Sequence, residues 1–271
     1  KTFRQKNKRV YRGEVWLMTK ILIKSEKFNL WYGDFQALID VNLDIPENQV
    51  TAVVGPSGCG KSTFVRCINR LNDQINTVTT KGSISIDGID IYQYTTDEVV
   101  GLRRSVGMVF QRPNPFPLSV FENVAFGLKT NPMVPDDLAI KKEVNKALKA
   151  VGLFEDLEGD FSKLGTSLSL EQQQRLCIAR CLPTKPKILL MDEPCSALDP
   201  SDTDKVEELI RELRRDYTVV IVTHNLQQAG RISDQAVLFH LGKIVEAAPT
   251  KDFFQNPQEK RTRDFITGRS G

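Results

Sequence analysis

Histidine occurs only twice in these 271 residues, at His224 and His240, and the five cysteines (Cys59, Cys67, Cys177, Cys181, Cys195) form no C-x-x-C pair. Cys177 and Cys181 are four apart, as if on one helix face, but a structural zinc site needs four ligands at recognisable spacing. An odd, unpatterned set of thiols suits a reducing compartment rather than a disulfide scaffold. No apolar run approaches the roughly 18 residues that span a bilayer, and Val15, Trp16, Leu17 and Met18 are too few for a secretory hydrophobic region. No internal repeat is visible. Charge of one sign is not in excess either: 37 basic against 34 acidic residues give a net +3, too balanced to point to nucleic acid.

The one local charge excess lies at the start. Lys1, Arg4, Lys6, Lys8, Arg9 and Arg12 precede a single acid, Glu14. Residues 1–17 read as a solvated basic arm, with contact to acidic lipid headgroups as the alternative. The first residue is Lys1, so Met18 is a candidate start and the arm a candidate non-native segment.

What is present alternates between strand and helix signals. "VTAVVG" (50–55) is a compact apolar run ending in glycine, and 61–71 carries apolar residues at helical spacing. "GSISIDGIDI" alternates around Asp87-Gly88, a hairpin signal. "VGMVFQ" (106–111), "KILLMDEP" and "YTVVIVTH" read as further buried strands, and "AVLFHLGKIVEAA" as a hairpin around Gly242. After Gln111 the character changes. Three prolines in "RPNPFPLS" exclude a helix there, and helical patterns follow at 119–129, 137–151 and 170–182. The alternation implies an α/β fold with parallel core strands and an α-helical insertion at about 112–184.

"GPSGCGKST" (55–63) satisfies G-x-x-x-x-G-K-[ST] in full, between a buried strand and a helix start. Glycines let backbone N–H groups turn inward around phosphate oxygens. The helix N-terminus adds partial positive charge, Lys61 adds a full one, and Ser62 offers a hydroxyl to Mg²⁺. Gly55, Pro56, Ser57, Gly58, Cys59, Gly60, Lys61, Ser62 and Thr63 are therefore the expected phosphate site. "ILLMDEP" ends in two carboxylates at a strand's C-terminal edge, where such sheets place ligands. Asp192 is expected to hold Mg²⁺. Glu193, pointing the other way if the strand persists, is free to deprotonate an attacking water.

With these two elements together, the chain from about residue 20 onward resembles the ATPase subunits of ABC transporters. The resemblance implies a P-loop NTPase (RecA-like) core with an antiparallel β subdomain. It also implies roles for residues that spacing alone does not single out: Tyr32 stacks on adenine, Gln111 senses Mg²⁺ and couples to the membrane subunit, Asp199 acts across a dimer interface, and His224 contacts the γ-phosphate. Cofactors so implied are ATP and Mg²⁺. The partners are a second copy, two transmembrane permease subunits and, indirectly, a solute-binding protein, with the chain peripheral on the cytoplasmic face. "GMVFQRPNPFP", "QQQRLCIAR", "DEPCSALDP", "YTVVIVTHNLQQA" and "RTRDFITGRSG" further resemble the ATPases of bacterial high-affinity phosphate importers, with an importer ATPase for another solute as the alternative.

One string departs from that family. Where the pattern is Leu-Ser-Gly-Gly-Gln, this chain has Leu168, Ser169, Leu170, Glu171 and Gln172. Ser169 and Gln172 are expected to cap the ATP held by the opposite subunit. Leucine disfavours any φ > 0 geometry. A carboxylate about 5 Å from one phosphate charge repels it by roughly 3 kcal/mol at an effective dielectric near 20, so Glu171 is expected to turn outward as an ordinary helix acid. A slowed ATPase follows, accelerated by glycine at both positions. Two rivals predict otherwise. A mechanical ABC ATPase acting on DNA or ribosomes requires heptads, two cassettes or a large basic surface. A nucleotide-gated regulatory module would have little turnover, against which Glu193 and His224 argue.

Overall fold

The structure, a computed structural model, describes residues 9–12, 15–18, 20–130 and 136–269. Strands and helices follow in chain order. The first half holds β1 (Arg9–Arg12), β2 (Val15–Met18), β3 (Ile21–Tyr32), β4 (Phe35–Pro46), β5 (Val50–Val54), α1 (Lys61–Ile68), β6 (Val78–Ile86), β7 (Ile89–Asp90), α2 (Thr96–Ser105) and β8 (Val106–Val109). Four helices come next: α3 (Val120–Lys129), α4 (Asp137–Ala150), α5 (Leu153–Asp156) and α6 (Leu170–Cys181). The chain closes with β9 (Ile188–Asp192), α7 (Pro200–Leu213), β10 (Thr218–Val222), α8 (Leu226–Ile232), β11 (Gln235–His240), β12 (Lys243–Pro249), α9 (Thr250–Gln255) and α10 (Lys260–Ile266). Among the described residues no helix is long and apolar enough to cross a membrane.

The six-stranded sheet has the order β12-β11-β5-β10-β9-β8, parallel except for the edge strand β12. Every residue of β5, β9 and β10 is buried. That burial accounts for their continuous apolar runs, since a parallel interior strand is covered on both faces. Alternate residues then serve two cores. Ala52, Val54, Leu189, Met191 and Ile221 face the core shared with α3, α6 and α7. Val53, Leu190, Val220 and Val222 face the core shared with α1 and the antiparallel strands. This is the two-residue period of a pleated strand applied at fold scale.

The second sheet, order β4-β3-β6-β7, is antiparallel throughout. It packs Phe28, Leu30, Leu38 and Ile84 against Phe64, Val65 and Ile68 of α1. Each such side chain contributes ~1.5–3 kcal/mol by leaving water, so α1 is clamped between two sheets. The expected hairpin turn has both Asp87 and Gly88 at positive φ, as a two-residue type I′ turn requires. Of the basic arm expected over 1–17, residues 1–8 and 13–14 lie outside the described residues. β1 and β2 pair antiparallel.

Helix α2 has no counterpart in the periodicity reading. It is started by a full capping box between Thr95 and Glu98, a signal present in the sequence as T-x-x-E.

Candidate functional site

Parallel register brings the site together. Val222 of β10 lies opposite Val53 of β5 on one side and Asp192 of β9 on the other. β8 lies beside β9 in the same direction. The C-terminal ends of four strands therefore open on one edge of the sheet. From them emerge the 55–63 loop, Gln111, the Asp192-Glu193 pair and His224.

The loop is shaped by its glycines at two places. Gly55 has φ 147°, and a Cβ there would lie 2.2 Å from the Phe239 carbonyl oxygen. Gly60 has φ 105° and caps α1 without a side-chain bond; a Cβ would press on Leu38 at 3.0 Å and on the Ala37 oxygen at 3.1 Å. Only glycine fits either place. Lys61 is buried and donates to the carbonyl oxygens of Gly55 (2.8 Å) and Pro56 (2.7 Å), curling back over its own loop. Burial pushes the Cys59 thiol pKa up, partly opposed by the Lys61 charge, so Cys59 serves as a small packed side chain rather than a thiolate.

Ser62 donates its hydroxyl to Asp192 Oδ1 at 2.6 Å. Arg66, one turn further along α1, bonds Asp192 Oδ2 at 3.0 Å. Sequence reasoning passed over Arg66, although its i, i+4 spacing from Ser62 places both on one helix face.

Glu193 departs from expectation. The strand ends at Asp192, and Glu193 takes φ 49°, a left-handed conformation that costs on the order of 1–2 kcal/mol for an L-residue. The separation of the two carboxylates thus comes from this backbone turn and not from strand alternation. Glu193 Oε2 accepts from Gln111 Nε2 at 3.1 Å and lies 3.2 Å from His224 Nδ1. Three residues far apart in sequence meet on one oxygen. Of the three expected metal ligands, Ser62 and Asp192 are joined, whereas Gln111 bonds Glu193 instead.

A cleft of about 390 Å³ runs along the loop, bordered by Tyr32, Ser57, Gly58, Gly60–Thr63 and Glu193. The Tyr32 hydroxyl lies 3.3 Å from Thr63 Oγ1. Ser169, Gln172 and Asp199 do not border this cleft.

A family model described as ABC transporter matches residues 38–196. The chain belongs to the ABC transporter ATP-binding family. Among solved structures, this ABC ATPase is similar to CbiO1 from Clostridium perfringens, part of the CbiONQ ABC transporter complex. Identity there is 31% over 92% of this chain and 96% of that one, with a TM-score of 0.77. The ATP-binding cassette MJ0796, solved as a post-hydrolysis dimer with ADP and phosphate, is 31% identical over 84% of this chain and 99% of its own, with a TM-score of 0.73. A bacterial Atm1-family exporter with ATP bound shares the fold, at 24% identity over 94% of this chain and 43% of that one, with a TM-score of 0.76.

The departing string lies at the start of α6 in this cassette. Ser169 is the N-cap, accepting from Gln172 N at 3.2 Å, while Gln172 Oε1 accepts from Ser169 N at 3.2 Å. Leu170 and Glu171 are ordinary helical residues; neither has positive φ. The conformational objection to leucine therefore does not arise. Glu171 does not turn outward to solvent. It is 3% exposed and paired with the buried Arg175 one turn on. Arg175 also donates to Val151 O at 2.9 Å and is bonded to Asp156. Burial opposes the Arg175 charge, and the two carboxylates more than restore it, so its pKa is raised. The acid that replaces a glycine is therefore neutralised within its own helix. Leu170, 45% exposed, is the part of the departure that stays at the surface. Asp199 caps α7 by accepting from Asp202 N at 2.9 Å.

Proposed function

We propose that this ABC ATPase hydrolyses ATP as one of two identical nucleotide-binding subunits of an importer for inorganic phosphate. The observation that carries the enzymatic part is the meeting of Gln111 and His224 on Glu193 Oε2, beside the Ser62–Asp192 pair. Hydrolysis needs a base aimed at water next to a phosphate-neutralising cradle, and these residues supply both.

In this reading the loop amides of 55–63 take the β- and γ-phosphates. Lys61 exchanges its two carbonyl partners for phosphate oxygens. Tyr32 offers its ring to the adenine. Glu193 takes a proton from water as the water oxygen bonds the γ-phosphorus and the bond to the β-phosphate oxygen breaks, leaving ADP and phosphate. His224 and Gln111 orient that carboxylate. The close pair of hard oxygens from Ser62 and Asp192 fits Mg²⁺, which is held by one or two carboxylates together with phosphate and water; Gln111 is the third ligand proposed. The ion would neutralise charge building on the phosphate oxygens.

The cleft within one chain lacks Ser169, Gln172 and Asp199. A second copy supplies them across the nucleotide, with Ser169 at the positive end of α6. MJ0796 is dimeric, and CbiO1 is part of a transporter complex; both support a dimer docked on permease subunits at the cytoplasmic face of the membrane. The cassette, 18–271, would carry the helical segment of about 112–184 as its permease-facing insertion. Phosphate as solute rests on the string resemblances, since no residue of this site would touch transported phosphate. The test is co-purification with permease partners and reconstitution in liposomes with a phosphate-loaded solute-binding protein. ATP hydrolysis stimulated by phosphate, and not by another solute, is the expected result. No stimulation by phosphate removes the solute assignment.

A further inference from the structure

The two-residue turn between β11 and β12 carries a residue its geometry does not favour. His240 pairs with Lys243, so Leu241 and Gly242 alone make the turn, with φ 47° and 75°. Such a turn favours Asn-Gly or Gly-Gly, and a leucine held at positive φ is an outlier. Core packing does not explain the choice, because Leu241 is 71% exposed.

Its position does. Leu241 borders the same cleft as Tyr32 and the phosphate loop, and so does Phe35, itself 68% exposed. Two large apolar side chains left open at the rim of one cleft mark a surface meant to be covered. The turn is also held fast. Gly242 N donates to Cys59 O inside the phosphate loop at 2.9 Å, and Ile39 N donates to Gly242 O at 2.8 Å. A Cβ at Gly242 would come within 2.7 Å of the Ala37 oxygen. Leu241 therefore stands at a fixed place relative to the loop that takes the phosphates.

We propose that Leu241 and Phe35 form an apolar wall for the nucleobase of the bound triphosphate, making Leu241 a determinant of nucleotide affinity. The proposal rests on the nucleotide-binding reading above. An apolar wall acts through contact area and excludes water, so it responds to the presence of a base and not to the phosphate chain.

Leu241→Asn suits the left-handed turn and removes the wall. Isothermal titration with ATP and with inorganic tripolyphosphate, on the unaltered chain and this variant, is the test. ATP affinity should fall about five- to tenfold while tripolyphosphate affinity stays the same and the melting temperature holds or rises. Phe35→Ala should weaken ATP in the same selective way. Unchanged ATP affinity in Leu241→Asn overturns the proposal. Equal losses for both ligands also overturn it, because the turn would then act through the phosphate loop. If the unaltered chain binds tripolyphosphate but gains nothing from the base, the wall is refuted and the phosphate site stands. If it binds neither ligand, the nucleotide reading itself falls.

Discussion

The 55–63 loop and the front of α6, which would face one nucleotide in the proposed dimer, start their helices in opposite ways. The loop uses Gly55 and Gly60 in conformations that no side chain fits, and Lys61 curls back onto two of its carbonyls and the Cys59 sulfur. The α6 front has lost both glycines of its family pattern. It relies on an ordinary capping box and hides the acquired carboxylate against Arg175. The first region depends on glycine backbone and one buried lysine, whereas the second offsets an acquired carboxylate with an arginine of its own helix. A departure from a motif therefore needs to be read with its partners, because Glu171 in isolation predicts repulsion that the buried pair removes.

The largest expected effect breaks the loop side. Glu193→Gln keeps the shape and removes the base, so ATP turnover should fall by about 10²–10⁴-fold. Gel filtration with ATP should show the nucleotide trapped and a dimer stabilised. A loss below tenfold, measured as steady-state phosphate release, would shift the proton transfer to another group. Next comes the α6 side. Glu171→Gly leaves the Arg175 charge buried with only the part-exposed Asp156, and should cost about 3 kcal/mol in urea unfolding. Simultaneous glycine at 170 and 171 therefore mixes a faster site with a weaker fold. Leu170→Gly alone is the cleaner probe. It should raise turnover several-fold at a stability cost of about 1 kcal/mol or less; an unchanged rate would mean that Leu170 is silent at the interface.

The smallest effect sets the buried pair against an exposed one. Asp87 bonds Lys187 and Lys20 at the surface, and these hydrogen bonds lower its pKa. A carboxylate with a lowered folded-state pKa adds stability above its unfolded value near 3.9 and loses it as pH falls through the folded value. Asp87→Asn keeps a residue that tolerates the turn. It should cost at most about 1 kcal/mol at pH 7, and the difference should close once the pH has fallen through the lowered folded-state value. A cost as large as that of Glu171→Gly would erase the distinction between the two regions.

Much of this was legible in the residues alone. Buried parallel strands announced themselves as unbroken apolar runs, and the Asp87-Gly88 turn as a dipeptide requirement. The phosphate loop was legible because its chemistry is local: nine consecutive residues supply glycines, amides, lysine and hydroxyl. Helix α2 was missed because its apolar stripe is short, although Thr95 and Glu98 signalled its start. Arg66 was missed because a lone arginine on a helix has no meaning until Asp192 arrives beside it, 126 residues on.

What the sequence by itself determined is the inventory: the cradle at 55–63, the carboxylate pair at 192–193, and the loss of two glycines before Gln172. What only the tertiary structure decided is where charge points. Glu193 faces Gln111 and His224 because the chain turns left-handed after β9, and the Glu171–Arg175 pair, set four apart on α6 by the sequence, is buried because α6 packs against the turn after α4. The first outcome depends on parallel register, and the second on helix packing that takes a local pair out of water. Electrostatic energy falls with separation in space and is indifferent to separation along the chain.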